Sequence, residues 1–176
     1  MIEHLGFLAP CTFILLWALS ALSDREWKLG INYLSDLGVS KRKAAAIAFN
    51  GGCMICGAMF FLYSVWMVST ADDLLTVATF AVGAVMSVFF SLIGAINENK
   101  RPYHVYTAYS MFSAAMLFLV LLMCADAVNG RYLLLAITLA GFISVPLSFK
   151  VGIGSMPIAE TVGAIAIAAV FIVHFA

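Results

Sequence analysis

Four polar residues with the chemistry of acid–base catalysis or ligand binding stand out in a chain that is otherwise hydrophobic. They are Asp36, Asn50, His104 and Glu160. A histidine can accept or donate a proton near neutral pH, and a carboxylate can orient it or act as a second acid–base group. An amide or carboxylate among apolar side chains also needs a hydrogen-bonding partner, which a bound molecule can supply. The set therefore predicts either a binding pocket or the acid–base groups of an enzyme.

Glu160 is the acidic residue that falls most clearly within an apolar run, in the stretch SMPIAETVGAIAI. A charge at mid-bilayer depth costs roughly 2.5–3.5 kcal/mol on insertion scales, which favours a functional reason for its presence. Because Pro157 marks the start of this run, Glu160 can instead lie in the first turn of a helix and interact with the helix dipole. A functional role and local capping are therefore both kept as interpretations.

The other three candidates also have plain structural explanations. His104 begins an apolar run, where a histidine can serve as a general base, a ligand or an interfacial polar residue. Asn50 lies about two turns into another apolar run and can simply bond a neighbouring helix. Asp36 precedes Gly38 in a pattern typical of a solvated turn. None of the three identifies a reaction by itself.

The composition indicates that lipid is the main solvent of this chain. It is 64% hydrophobic and 10% charged, whereas a soluble domain is about a quarter charged. The formal net charge is zero, so nucleic acid is not an expected partner. Cys53 and Cys56 form a C-x-x-C pair, but it lies in the middle of an apolar run and has no second pair. We therefore expect no metal and no cofactor.

Six apolar segments are long enough to cross the ~30 Å hydrocarbon core as helices, which takes about 20 residues each. They are Leu5–Leu22, Ala44–Ser69, Leu74–Ile96, His104–Ala125, Tyr132–Phe149 and Pro157–Phe175. The runs are continuously apolar, without the alternation of barrel strands. No linker-like stretch divides them. The sequence predicts one all-α domain over residues 1–176, an integral membrane bundle of six transmembrane helices.

The basic residues predict how this bundle lies in the cell membrane. Connectors one, three and five contain Arg25, Lys28, Lys41, Arg42, Lys43, Lys100, Arg101 and Lys150. On the opposite side the basic residue is Arg131, accompanied by Glu3, Asp72, Asp73 and Asp126. Since cytoplasmic loops carry an excess of lysine and arginine, connectors one, three and five are expected in the cytoplasm and both termini outside.

All four candidate residues belong to the predicted cytoplasmic side. Asp36 lies in the first connector, and the other three lie near the cytoplasmic ends of helices two, four and six. Glu98, in the third connector, joins them. The opposite side has short acidic connectors, and no comparable set is expected there. If the helices pack around these groups, they form a polar pocket, and the basic residues at its mouth attract anionic lipid headgroups. The alternative is that the ordinary positive-inside bias explains the basic residues without a pocket.

Several short motifs resemble a family of multi-pass membrane proteins known as domain of unknown function 998. They are NYLSDLGVS after the first helix, AFNGG in the second and RPYHVYTAYSMF at the start of the fourth, with an acid at the start of the last. The resemblance implies a six-helix fold without an established activity. It singles out Ser35, Asp36, Gly38, Asn50 and His104. Thr161 stands where such relatives often have an arginine, so an internal Glu–Arg pair is not expected.

The leading hypothesis is a membrane protein that binds a lipid or small amphipathic molecule near the cytoplasmic leaflet. Its binding residues would be Ser35, Asp36, Asn50, Glu98, His104 and Glu160. The alternative is an intramembrane enzyme, a lipid hydrolase or headgroup transferase, with His104 as general base oriented by Asp36 or Glu160. A third possibility is a scaffold without a ligand. Membrane lipids are the expected partners in each case.

Overall fold

The computed structural model describes residues 2–150 and 155–175, and these residues contain six α-helices and no strand. The helices are α1 (Leu5–Ser23), α2 (Lys43–Thr70), α3 (Leu74–Ala95), α4 (Arg101–Val128), α5 (Tyr132–Lys150) and α6 (Met156–Phe175). Short 3-10 helices cover Ile2–His4, Ser35–Val39 and Glu98–Lys100. The predicted all-α fold is confirmed.

Five helices are long and apolar enough to cross a membrane, and α5 is the exception among the described residues. Its shorter apolar part is Tyr132–Ser144. The chain is thus a multi-pass membrane protein, and six predicted spans fit the helices approximately. The predicted bounds agree within one residue except for α4, which extends three residues further at each end. That extension places Asp126 inside a helix rather than in a connector.

Consecutive helices pack side by side, and α6 returns to pack against α1. The six helices therefore close into a ring. One end of the ring carries the connectors at residues 24–42 and 96–100, and we call it the basic end because of their lysines and arginines. The other end, which carries the α2–α3 and α4–α5 connectors, is called the opposite end.

An aromatic cluster fills the ring on the side of the opposite end. Phe60 of α2 stacks on Phe171 of α6 with ring centroids 4.6 Å apart. Phe118 of α4 meets Phe171 edge to face at 5.2 Å, and Phe80 of α3 meets Phe118 at 5.9 Å. Such pairs add roughly 0.5–1.5 kcal/mol each beyond the burial of their area. Four helices are thereby joined at one depth.

Helices α2 and α3 approach each other closely because glycines remove side chains from their interface. A Cβ on Gly57 would lie 2.7 Å from the backbone oxygen of Ser87. A Cβ on Gly94 would overlap the backbone oxygen of Asn50 and lie 2.9 Å from Met54. Without a hydrophobic force between helices in lipid, such close backbone packing supplies much of the attraction.

We predict that Gly57→Ala and Gly94→Ala each lower the thermal unfolding midpoint in detergent. The added methyl meets backbone atoms that cannot move without separating α2 from α3, and overpacking of this kind costs roughly 1–3 kcal/mol. Gly51→Ala in α2 is the matched control, because a Cβ there meets nothing within 4 Å. Equal midpoints for all three variants would contradict the close packing.

Candidate functional site

The first connector, residues 24–42, folds back on itself across the basic end. The Trp27 indole N–H donates a hydrogen bond to the Tyr33 carbonyl oxygen at 2.8 Å. The Ser40 hydroxyl donates to the Asp24 carboxylate at 2.6 Å, joining the beginning of the connector to its end. That hydroxyl is also the main cause that lowers the pKa of Asp24 below its usual value. The connector is therefore an ordered element rather than a loose loop.

The middle of the connector plugs the end of the helix ring. Leu34 and Leu37 are buried, with 3% and 0% of their surface exposed. Leu37 lies within the 3-10 helix Ser35–Val39, whose short hydrogen-bonded turn directs both leucines inward. The backbone groups carried down with these leucines need partners, because unpaired amides are costly in an apolar medium.

Two hydrogen bonds to backbone groups meet this need, and a third from a side chain also helps to hold the plug. The Leu34 N–H donates to Oε2 of Glu160 in α6 at 2.8 Å. The side-chain amide of Asn50 in α2 donates to the Gly38 carbonyl oxygen at 2.9 Å. The Ser35 hydroxyl donates to Glu98 at 3.2 Å. Glu160, in the second turn of its helix, thus binds a residue 126 positions away rather than capping its own helix.

His104 is buried beside this plug, in the first turn of α4. Its Nδ1 lies within hydrogen-bond distance of the carbonyl oxygen of Ile96, the residue that follows α3. Because a carbonyl oxygen only accepts, Nδ1 carries the hydrogen, and in the neutral ring Nε2 is then the basic nitrogen. Nε2 lies 3.9 Å from Oε1 of Glu98, which is an ion-pair distance when the ring is protonated.

Ser35, Glu98, His104 and Glu160 lie together at the basic end, and we call these four residues the polar cluster. Ser35 and His104 contact or approach Glu98, while Ser35 and Glu160 lie next to each other along the wall of one cavity. Arg101 is at the edge, with its Nε 4.0 Å from Glu98. The cluster combines three sequence segments that are more than 50 residues apart.

The two other predicted site residues occupy different places. Oδ2 of Asp36 accepts the Tyr33 N–H at 2.8 Å, so this residue stabilises a turn of the connector. Its carboxylate is close enough to that of Glu160 for the two to interact electrostatically. Asn50 lines a separate surface pocket with Asn97 and Asn99, and its buried Oδ1 has no hydrogen-bond partner among the described residues.

An internal cavity of about 110 Å³ extends from the aromatic cluster toward the basic end. Its walls are mainly apolar side chains of α1, α2, α3, α4 and α6, and Ser35, His104 and Glu160 form its polar end. A groove of about 480 Å³ lies between α4, α5 and α6 and is lined by the same three residues. Exposed side chains such as Tyr109 and Met156 also line the groove, so it opens on the surface of the bundle.

A second polar cluster lies at the opposite end, where no comparable set was expected. Asp126 is fully buried in α4, and its Oδ2 lies 2.7 Å from Nε2 of His174 in α6. Oδ1 of Asp126 lies 3.0 Å from the guanidinium of Arg131, and the Thr138 hydroxyl lies 3.4 Å from the same His174 nitrogen. The expectation was wrong because Asp126 was assigned to a connector, whereas α4 continues past it.

A signal for this second cluster is present in the sequence. ADAVNGR holds a single acid among helix-compatible residues before the Asn–Gly that ends α4, and His174 lies at the matching depth of the last run. An acid and a histidine at one depth of two apolar helices are candidates for a pair. Among the described residues, this second cluster lines neither the cavity nor the groove, and it joins α4 to α6.

We predict that Glu160→Ala makes the first connector sensitive to trypsin at Arg25 and Lys28. Losing the acceptor leaves the buried Leu34 N–H unpaired, and an unsatisfied buried donor costs about 1–3 kcal/mol. The open connector should therefore be populated about tenfold more or higher. Glu160→Gln keeps a side-chain oxygen that can accept the Leu34 N–H, so it should be cleaved much more slowly than Glu160→Ala. Cleavage of both variants at the wild-type rate would contradict the assigned contact.

Asp126→Asn should lower the free energy of unfolding by about 1–3 kcal/mol, because it weakens the hydrogen bond that pairs the buried His174 ring with α4. The ion pair with the half-exposed Arg131 adds little, since solvent screens it. Thermal unfolding in detergent measures the effect. Asp72→Asn is the control, because Asp72 is an exposed acid at the same end of the bundle. If both variants unfold at the same temperature, the second cluster does not stabilise the α4–α6 contact.

Comparison with known proteins gives one family. No curated protein and no solved structure matches the chain. The profile of one family, described as "Protein of unknown function (DUF998)", matches residues 7–176, which is nearly the whole chain. The match confirms the resemblance carried by the NYLSDLGVS, AFNGG and RPYHVYTAYSMF motifs. The chain therefore belongs to the DUF998 family.

Proposed function

We propose that this protein binds a lipid or another amphipathic molecule, with the polar head at the polar cluster and the apolar chain along the groove. The observation that carries the proposal is the meeting of an apolar cavity and a surface groove at Ser35, His104 and Glu160. An amphipathic molecule needs this combination, since one end requires hydrogen-bonding partners and the other requires apolar walls.

The sizes of the two spaces agree with a ligand that lies mainly in the groove. Its volume of about 480 Å³ falls within the 300–1,000 Å³ typical of small-molecule sites. The inner cavity of about 110 Å³ is smaller than the ~150 Å³ engineered cavity that admits benzene in another protein. It has room for a short apolar end only. A chain can reach the groove from the bilayer because exposed side chains of α4 and α6 line it.

The excess of basic residues at the basic end supports a cytoplasmic position for this end and for the polar cluster. Arg25, Lys28, Lys41, Arg42 and Lys43 in or beside the first connector would then face the anionic headgroups of the inner leaflet. Under this orientation an amphipathic ligand enters from the cytoplasmic leaflet.

Lipid modification is a second candidate function, favoured by the orientation of His104. The Ile96 carbonyl oxygen engages Nδ1 and leaves Nε2 as the basic nitrogen, as a general base requires. Glu98 is its acidic neighbour, with Oε1 3.9 Å from Nε2. Asp36 or Glu160 was expected to orient the ring, and these acids accept the Tyr33 N–H and the Leu34 N–H. A water or lipid hydroxyl would be the nucleophile in such a reaction.

We expect Ala108→Phe to abolish binding of the co-purified amphiphile, because Ala108 lines both the cavity and the groove and a phenyl ring fills their junction. Native mass spectrometry and lipid analysis of the purified protein give the bound species. Ser113→Phe is the matched control, since Ser113 is exposed on the same helix. Both variants should unfold near the wild-type temperature.

Retention of the ligand by Ala108→Phe, or its absence from the wild-type protein, would overturn the binding proposal. The same spectra separate binding from catalysis. A ligand that keeps its mass during prolonged incubation supports binding. Conversion to a new mass in the wild type, lost in His104→Ala, supports the enzymatic function instead.

A further inference from the structure

We infer that the bound amphiphile has a head that donates hydrogen bonds and carries no negative charge, such as a hydroxyl or an ammonium group. This inference rests on the proposed function and names its ligand class. It excludes fatty acids and phosphate-headed lipids as preferred ligands, although anionic lipids are expected at the basic surface outside the groove.

The carboxylates of the polar cluster have acceptor capacity to spare. An ionised carboxylate accepts hydrogen bonds at about four lone-pair positions and donates none. Glu160 receives the Leu34 N–H at Oε2, and Glu98 receives the Ser35 hydroxyl at Oε1. Several acceptor positions on each group therefore remain for a ligand, while Ser35 has already directed its hydrogen toward Glu98.

In its neutral form, His104 adds a further acceptor rather than a donor. Its N–H at Nδ1 is engaged by the Ile96 carbonyl oxygen. In the neutral ring, Nε2 therefore presents a lone pair on the side of Glu98. A head that brings its own hydrogens, as a hydroxyl or ammonium group does, is complementary to this arrangement.

The charges around the polar cluster support the same class of ligand. Glu98 and Glu160 line the groove, and Asp36 interacts electrostatically with Glu160 from the connector. Among the described residues that line the groove, the cation is Arg101, whose side chain is 77% exposed and whose Nε lies 4.0 Å from Glu98. A carboxylate or phosphate head would be repelled by two acids, with little positive charge nearby to offset the repulsion. Binding of such a head is therefore disfavoured.

A matched set of single-chain amphiphiles tests the inference. Dodecylamine, monolaurin, dodecanoic acid and a lauroyl lysophosphatidate share one chain length and differ in the head. An equimolar mixture is offered to the delipidated protein at pH 8, above the usual pKa range of carboxyl groups. Native mass spectrometry then compares the occupancy of each amphiphile in the wild type and in Ala108→Phe. Because the junction of cavity and groove is blocked in the variant, binding that persists there is outside the groove.

We expect the occupancy of the amine and of the monoacylglycerol to be about tenfold or more above that of the two anionic amphiphiles. One hydrogen bond to a charged group is sufficient for a difference of this size. Glu98→Gln combined with Glu160→Gln should narrow the preference for the amine over dodecanoic acid. If dodecanoic acid or lysophosphatidate binds as well as the amine and the monoacylglycerol, or better, and this binding is lost in Ala108→Phe, this inference is wrong. The proposed function is then still supported. Failure of all four to bind in an Ala108-dependent manner overturns the proposed function itself.

Discussion

The hydrogen bond from the Leu34 N–H to the Glu160 carboxylate joins the first connector to the last helix of the bundle. Lipid offers no hydrogen bonds, so every backbone group that is carried inward with a leucine needs a partner from the protein. Glu160 from α6 and Asn50 from α2 serve this requirement, and Glu98 in the turn before α4 accepts the hydroxyl of Ser35 beside them. The connector thereby becomes the wall of a site rather than a solvated loop.

The two ends of the bundle use buried polar groups in different ways. At the opposite end, Oδ2 of Asp126 lies 2.7 Å from Nε2 of His174, and this contact joins α4 to α6. The aromatic contact between Phe118 and Phe171 joins the same two helices. Toward the basic end, the same two helices border the groove instead. A bundle held firmly at one end can keep an open groove at the other without losing its packing.

The helices were readable from the sequence because membrane spans need only a run of about 20 apolar residues, which local composition reveals. The α4 ends were less certain, since Asp126 interrupts the apolar pattern although the helix continues. That single boundary concealed the second polar cluster. Among the candidate site residues, Ser35, Glu98, His104 and Glu160 come together, whereas Asp36 supports a turn and Asn50 lines another pocket.

By itself the sequence determined the solvent of this protein, its all-helical class, the connectors that hold its basic residues and the end at which most of its polar candidates lie. Those properties depend on composition and on distance along the chain. Only the tertiary structure decided the partners of each polar group, because Leu34 and Glu160 are 126 residues apart and no local pattern relates them. The groove, too, exists only where α4, α5 and α6 fail to fill the space between them.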